Sequence, residues 1–146
     1  MSNQISIRPL MQQNRDAVIG LLQSEKLPVE DLPDDLKNFF AATDNDFIVG
    51  AIGLEIYGSN GLLRSLVVRS GYRKMEVAAA LIGELETMAR KAGLQSVYLL
   101  TETAEGYFSK KGYKAVSRND APLSLQQSSE FTHVCPSSAV LMQKDL

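Results

Sequence analysis

Residues 69–81 read RSGYRKMEVAAAL, and the fold turns on how this stretch joins what stands on either side of it. Before it, residues 62–68 (LLRSLVV) are apolar and branched enough for a buried strand. After it, Val77, Leu81, Leu85, Met88 and Ala92 recur at spacings of four, four, three and four. That stripe predicts an amphipathic helix over residues 76–92. Gly93 is placed to end it, and Glu86 and Arg90 are expected to pair on its exposed side. A strand, a short turn and a helix start can hold a phosphate, because the first helical turn offers unpaired N–H groups and the positive end of the dipole. Such turns usually carry glycines, which let backbone and phosphate approach closely. Here the turn carries Lys74, Met75 and Glu76. It reads either as a phosphate cradle with its glycines replaced or as a plain connection.

Downstream, residues 96–101 form a near-continuous apolar strand of the buried, parallel type. Thr103 is expected to cap a short helix through Lys111, which Gly112 stops. Residues 113–116 and 139–142 read as final strands, with a polar stretch over 117–137 that holds a short helix after Pro122. Upstream, residues 4–8 alternate as a first strand ended by Pro9. Val18, Leu21 and Leu22 then recur at helical spacing, capped by Asn14 or Asp16. Pro33, Asp34 and Asp35 resemble a second helix start. Residues 39–43 suit either the end of that helix or a strand. Asp44-Asn45-Asp46 is a turn signal, residues 47–57 a long apolar strand, and Ser59-Asn60-Gly61 the next turn. This order predicts a mixed α/β (α+β) fold.

The 146 residues, 45% hydrophobic and 22% charged, suit one globular domain spanning residues 1–146. A net charge of −2 gives no general nucleic-acid surface, so any anion site is local. No apolar run reaches membrane-spanning length, and MSNQISIRP lacks the apolar core of a signal peptide. No nucleic acid or membrane is expected as a partner, and the expected location is cytoplasmic. The single cysteine, Cys135, fits a reducing compartment; with only one histidine, His133, beside it, no metal site of the Cys/His type is expected. Exposed strand edges make a homodimer an expectation.

Two stretches, SLVVRSGYRKMEVAAALIGELETMARKAG and LLTETAEGYFSKKGYKAV, resemble the GNAT acetyltransferase superfamily over nearly the whole chain. The family pattern Arg/Gln-x-x-Gly-x-Gly/Ala opens a helix and falls on Arg73, Lys74, Met75, Glu76, Val77 and Ala78. Arg73 and Ala78 fit, whereas Glu76 stands where the first glycine belongs. The second pattern, an aromatic pair and then Gly-aromatic, falls on Tyr107, Phe108, Gly112 and Tyr113. More narrowly, GLEIYG, LLRSLVV, LLTETA, EFTHVCPSSAV and QKDL look like a subgroup found in arsenic-resistance operons. The resemblance implies a mixed, mostly antiparallel sheet with helices on both faces. It also implies acetyl-CoA as co-substrate and acetyl transfer to the amine of a small molecule, amino-acid-like or arsenic-related. The cofactor's pyrophosphate would rest on N–H groups from Arg73 to Ala78. Its pantetheine arm would run beside Leu66, Val67 and Val68, where the strand splays from residues 97–101. The competing class is a binding or sensor domain that kept the fold and lost the chemistry, and Glu76 and Phe108 point that way.

Acetyl transfer needs a deprotonated amine and a proton for the departing thiolate. Glu55 interrupts an otherwise apolar strand and is the candidate base; the simpler reading is a solvent-facing glutamate. Family members often place a tyrosine, as acid, where Phe108 stands, and Phe108 cannot donate a proton. Tyr107 is expected to pack in the core. Arg64 lies inside an apolar strand and needs a partner, either a substrate carboxylate or oxyanion or an internal salt bridge. Thr101 could line a cleft at its strand's C-terminal end. His133 and Cys135 share a loop and read either as a Cys-His nucleophilic pair, for which the i,i+2 spacing gives no facing geometry, or, more simply, with Cys135 as a small apolar filler. A carboxylate about 5 Å from a phosphate charge costs roughly 0.8 kcal/mol at water's dielectric and about 3 at an effective value of 20. Arg69, Arg73 and Lys74 offset Glu76 with three positive charges in the same stretch.

Overall fold

The computed structural model describes residues 5–27, 29, 32, 36–128 and 139–146, with only the backbone of Lys74 and Met75. The strands are β1 (Ile5–Pro9), β2 (Phe39–Asp44), β3 (Phe47–Tyr57), β4 (Asn60–Val68), β5 (Ser96–Thr101), β6 (Lys114–Val116) and β7 (Val140–Asp145). They form one sheet in the order β1-β2-β3-β4-β5-β7-β6. β4 and β5 pair in parallel, whereas β1–β2, β2–β3, β5–β7 and β6–β7 are antiparallel. The helices are α1 (Arg15–Ser24), α2 (Val77–Lys91), α3 (Glu105–Lys110) and α4 (Leu123–Gln126). The fold is therefore mixed α/β with a mostly antiparallel seven-stranded sheet.

Residues 39–43, open between helix and strand, belong to β2, whose first five residues are all buried, as in a central strand with both faces covered. Asn45 and Asp46 both take positive φ, 50° and 72°, the two-residue turn that matches strand twist. The next turn sits at Gly58-Ser59, one residue earlier than expected: Gly58 supplies the positive φ, while Asn60 and Gly61 already pair with Ser96 and Val97. The expected helix start at Pro33, Asp34 and Asp35 lies outside the described residues, as do His133 and Cys135. Among the described residues, no helix is long and apolar enough to cross a membrane.

The chain divides into two compact units, one of residues 1–54 and 65–88 and the other of 55–64 and 89–146. In the first, Val18, Leu21 and Leu22 of α1 pack with Phe39, Ala41, Ile48, Ala51 and Val67. Asn14 stands at the N-cap of α1, yet its Oδ1 accepts from the Met11 N–H rather than from the helix. Val77, Leu81 and Leu85 of α2 are buried as expected. Ile82 and Ala89 are buried as well, so the buried face is wider than the stripe, and Ala92 is exposed because the helix ends at Lys91. Glu86, expected on the exposed side, is four residues after Ile82 and three before Ala89 and is buried beside them. Gly50 lets α2 sit close on the sheet: a Cβ there would lie 3.0 Å from the Val67 carbonyl and 3.2 Å from Leu81.

In the second unit, Leu62, Tyr98, Ala121, Leu125 and Leu141 form the core. α3 starts after Ala104, whose N–H donates to Thr101 Oγ1 at 3.0 Å. Thr101, rather than Thr103, therefore closes the turn into this helix. Tyr107, expected in the core, is 38% exposed, and the buried aromatic of the pair is Phe108, edge-on to Tyr113. A six-residue helix presents one narrow face inward, and Phe108 occupies it.

Gly53 is tightly enclosed. A Cβ at that position would stand 2.4 Å from the Phe39 ring across the β2–β3 pair. Gly53→Ala should lower stability by about 1–3 kcal/mol in urea unfolding, and Phe39→Leu in the same chain should recover part of that loss. Equal midpoints for wild type and Gly53→Ala would show that the ring moves aside freely.

Candidate active site

The chain leaves β4 through a 3-10 turn, Ser70–Met75, and reaches α2 through Glu76, whose φ of 56° and ψ of 27° are left-handed. An L-residue is disfavoured there and glycine is not. That is the physical reason a glycine suits this position, whatever it means for a ligand. The first bond of the helix runs from the Ala80 N–H to the Glu76 carbonyl at 3.1 Å. The N–H groups of Val77, Ala78 and Ala79 precede it and form the open first turn. The Glu76 side chain is exposed.

Side chains of the turn hold it to the unit that carries it. The Arg69 guanidinium donates to the Ile48 carbonyl through Nε (3.3 Å) and Nη2 (3.1 Å) and lies over the Phe47 ring, 4.5 Å from its centroid. The Tyr72 hydroxyl donates to Asp44 Oδ2 at 2.7 Å, and that bond holds the phenol above its usual range. Arg73 Nε donates to the Val68 carbonyl at 3.2 Å, while Nη2 pairs with Glu25 Oε1. Two of the three cations expected to offset Glu76 are thus engaged within the protein.

Leu66, Val67 and Val68 form the end of β4, with Val67 and Val68 buried. Just before them Ser65 takes φ 59°, a left-handed residue within a strand and the mark of a bulge. The parallel pairing covers Asn60–Leu62 against Ser96–Tyr98, although β4 runs to Val68 and β5 to Thr101. Nothing in the apolar run of β4 announces this; a serine is an ordinary strand residue until its φ is known.

Glu55 and Arg64, weighed separately in the sequence, meet in the second unit. Arg64 Nη1 donates to Glu55 Oε2 at 2.8 Å, with the arginine side chain 1% exposed and the glutamate 19%. The hydroxyl of Tyr57, which sequence reasoning missed, donates to Glu55 Oε1 at 2.6 Å. Burial first, then the bond to Glu55 and its charge, push the Tyr57 phenol well above its usual range. The i,i+2 spacing of Glu55 and Tyr57 on β3 was the available signal, since alternate residues share a face. Each Glu55 oxygen receives one donor, and a carboxylate has about four lone-pair positions, so both keep acceptor capacity. Among the described residues, no group of three or more His, Cys, Asp or Glu side chains is placed to hold a metal ion.

Residues 10–113 match the model of the acetyltransferase (GNAT) family. Comparison with curated proteins finds no match. Among solved structures, N-acetylglutamate synthase from Neisseria gonorrhoeae, complexed with coenzyme A and N-acetyl-glutamate, has a TM-score of 0.84 at 14% identity. The alignment covers 100% of this chain and 36% of that one, so the chain spans about a third of the synthase. Rv2747 from Mycobacterium tuberculosis, in complex with CoA, has a TM-score of 0.84 at 19% identity, covering 97% of this chain and 99% of that one. The PaiA N-acetyltransferase from Thermoplasma acidophilum, in complex with coenzyme A, gives 0.73 at 17% identity, with 98% and 99% covered. At these identities the likeness is one of fold. The family model spans β4, the left-handed turn, α2 and α3, and on that match the chain belongs to the acetyltransferase (GNAT) family.

Proposed function

We propose that this protein is an N-acetyltransferase that moves the acetyl group of acetyl-CoA to the amine of a small molecule, with amino-acid-like and arsenic-related amines as the first acceptors to try. The observation that carries this reading is the left-handed turn at Glu76 delivering the open N–H groups of Val77 and Ala78 at the end of β4. GNAT enzymes use acetyl-CoA as co-substrate. The residues present fit that group: backbone donors, a positive helix end and the cation Arg73 suit a diphosphate. The backbone of Arg73, Lys74, Met75, Glu76, Val77 and Ala78 would hold the pyrophosphate, and Leu66, Val67 and Val68 would border the pantetheine arm.

When bound, acetyl-CoA supplies the activated acetyl group as a thioester. Glu55 takes the proton of the attacking amine on whichever carboxylate oxygen faces it. Arg64 and Tyr57 hold that carboxylate in one orientation, which is the entropic part of the task. Arg64, tied to Glu55 and enclosed in the protein, is proposed as an orienting residue. Thr101, whose hydroxyl is held by the Ala104 N–H, would border the acceptor as a fixed acceptor group. Phe108 is buried and has no proton to give, so water or the substrate protonates the thiolate.

A second reading is a CoA-fold binding or sensor domain with weak or no chemistry. Glu76 in a glycine conformation and Phe108 in place of a hydroxyl both favour it. Calorimetry with CoA, followed by thiol release across an amine panel, separates the two: an enzyme binds and turns over, a sensor at most binds.

Glu55→Gln is expected to lower turnover by about 10²–10⁴-fold with little change in CoA affinity. Unchanged turnover would return Glu55 to a structural role opposite Arg64. For the turn, Glu76→Gly should tighten CoA by about 1–2 kcal/mol and raise the unfolding midpoint, since it removes both the carboxylate and the left-handed strain. Glu76→Gln should tighten CoA without the gain in midpoint, and Arg73→Ala should weaken binding. No change in affinity for either Glu76 variant would mean that the carboxylate faces away from the ligand. Tyr57 gives a pH test. A phenol whose folded-state pKa is raised stabilises the fold in full below its unfolded value of about 10. That contribution is lost as the pH climbs through the folded value. Alkaline titration by tyrosinate absorbance should show ionisation above the ordinary phenol range, from which Tyr57→Phe removes the highest step and leaves that of Tyr72. A wild type whose tyrosines all ionise near the ordinary value would break the Glu55 network.

A further inference from the structure

The inference drawn next rests on the reading of the turn before α2 as the acetyl-CoA site. Arg73 reaches from that turn to Glu25, the residue that ends α1, and their side chains form an ion pair. The same guanidinium is fixed at its inner edge, where Nε donates to the Val68 carbonyl. Only its outer edge is given to the carboxylate. A diphosphate oxygen asks the same of a guanidinium as a carboxylate oxygen does: a positive charge and planar N–H donors. A diphosphate that takes the Nη1–Nη2 fork with two oxygens needs the Nη2 that Glu25 holds. Glu25 also stands at the C-terminal end of α1, where the helix dipole disfavours an acid. Helix geometry therefore gives Glu25 no reason to be there, and Arg73 does. With the arginine side chain 53% exposed and the glutamate 27%, the partners can exchange in contact with water.

We propose that Glu25 is a built-in competitor for the cofactor's diphosphate. It holds Arg73 in the free protein and gives it up when CoA binds, which lowers the affinity of the turn and couples the end of α1 to occupancy of the site. The rival explanation is that Glu25 repels the diphosphate through its charge alone, without regard to Arg73.

A double-mutant cycle read by CoA calorimetry separates them. Wild type, Glu25→Gln, Arg73→Ala and the double variant are titrated with CoA, and each is first checked for an intact thermal transition. Glu25→Gln should bind CoA about 2–5-fold more tightly than wild type, the range set by an exposed ion pair. In the Arg73→Ala background the same substitution should change nothing. Equal or weaker binding by Glu25→Gln overturns the proposal, and so does a gain that persists without Arg73. Should Gln disturb the helix end, Glu25→Ala is read against the same criterion. Absence of CoA binding in all four proteins overturns the assignment of the turn itself, an outcome distinct from equal binding in wild type and Glu25→Gln.

Discussion

Helix α2 can begin only because one residue turns the wrong way for an L-amino acid. Glu76 at positive φ converts the 3-10 path out of β4 into the axis of α2 and aims the first-turn N–H groups. The rest of the first unit follows from that axis. Val77 and Leu81 come down on Gly50, where the missing Cβ lets helix and sheet close. Arg69 and Tyr72 tie the preceding turn to Ile48 and Asp44, at the β2–β3 hairpin. A left-handed glutamate costs about 1–2 kcal/mol, and these contacts are what hold the chain in that conformation.

The charges around the turn are spent locally before any ligand arrives. Arg69 serves a backbone carbonyl and an aromatic face, and Arg73 serves a carbonyl and an acid. A count of positive charges along the sequence therefore overstates the field that a phosphate would meet. Backbone donors suffer no such loss, since the first-turn N–H groups precede the first bond of the helix, from the Ala80 N–H to the Glu76 carbonyl. Recognition that relies on them survives the loss of glycine better than recognition that relies on approach distance.

Much of the fold was legible because periodicity reports burial. The extent of β3 and β5, the stop of α2 at Gly93 and the turn at Asn45-Asp46 all follow from spacing and turn chemistry. What failed did so for identifiable reasons. The stripe of α2 was read as one row and placed Glu86 outside, whereas the buried face also takes in Ile82 and Ala89, with Glu86 between them. Thr103 looked like a cap, but the hydroxyl two residues earlier reaches the Ala104 N–H. Tyr107 and Phe108 are adjacent, so only one can face inward, and composition cannot choose between them. In the site, Glu55 and Arg64 were each visible as a polar break in an apolar strand. Their pairing needed the hairpin register, and the bulge at Ser65 needed the backbone angle.

The pairing of Glu55 with a fully enclosed Arg64 has a consequence for how this protein can change over generations. Replacing Glu55 alone takes from the enclosed Arg64 the carboxylate that it binds at 2.8 Å; breaking a buried pair in this way costs about 3–5 kcal/mol, a large part of what a domain this size has to lose. Replacing both by apolar residues of similar volume is close to neutral for folding. The acid can therefore be discarded readily only together with its arginine, and descent by single steps tends to preserve the two as a linked pair. Among relatives of this chain, positions 55 and 64 should vary in concert, even where the chemistry at the site has been abandoned.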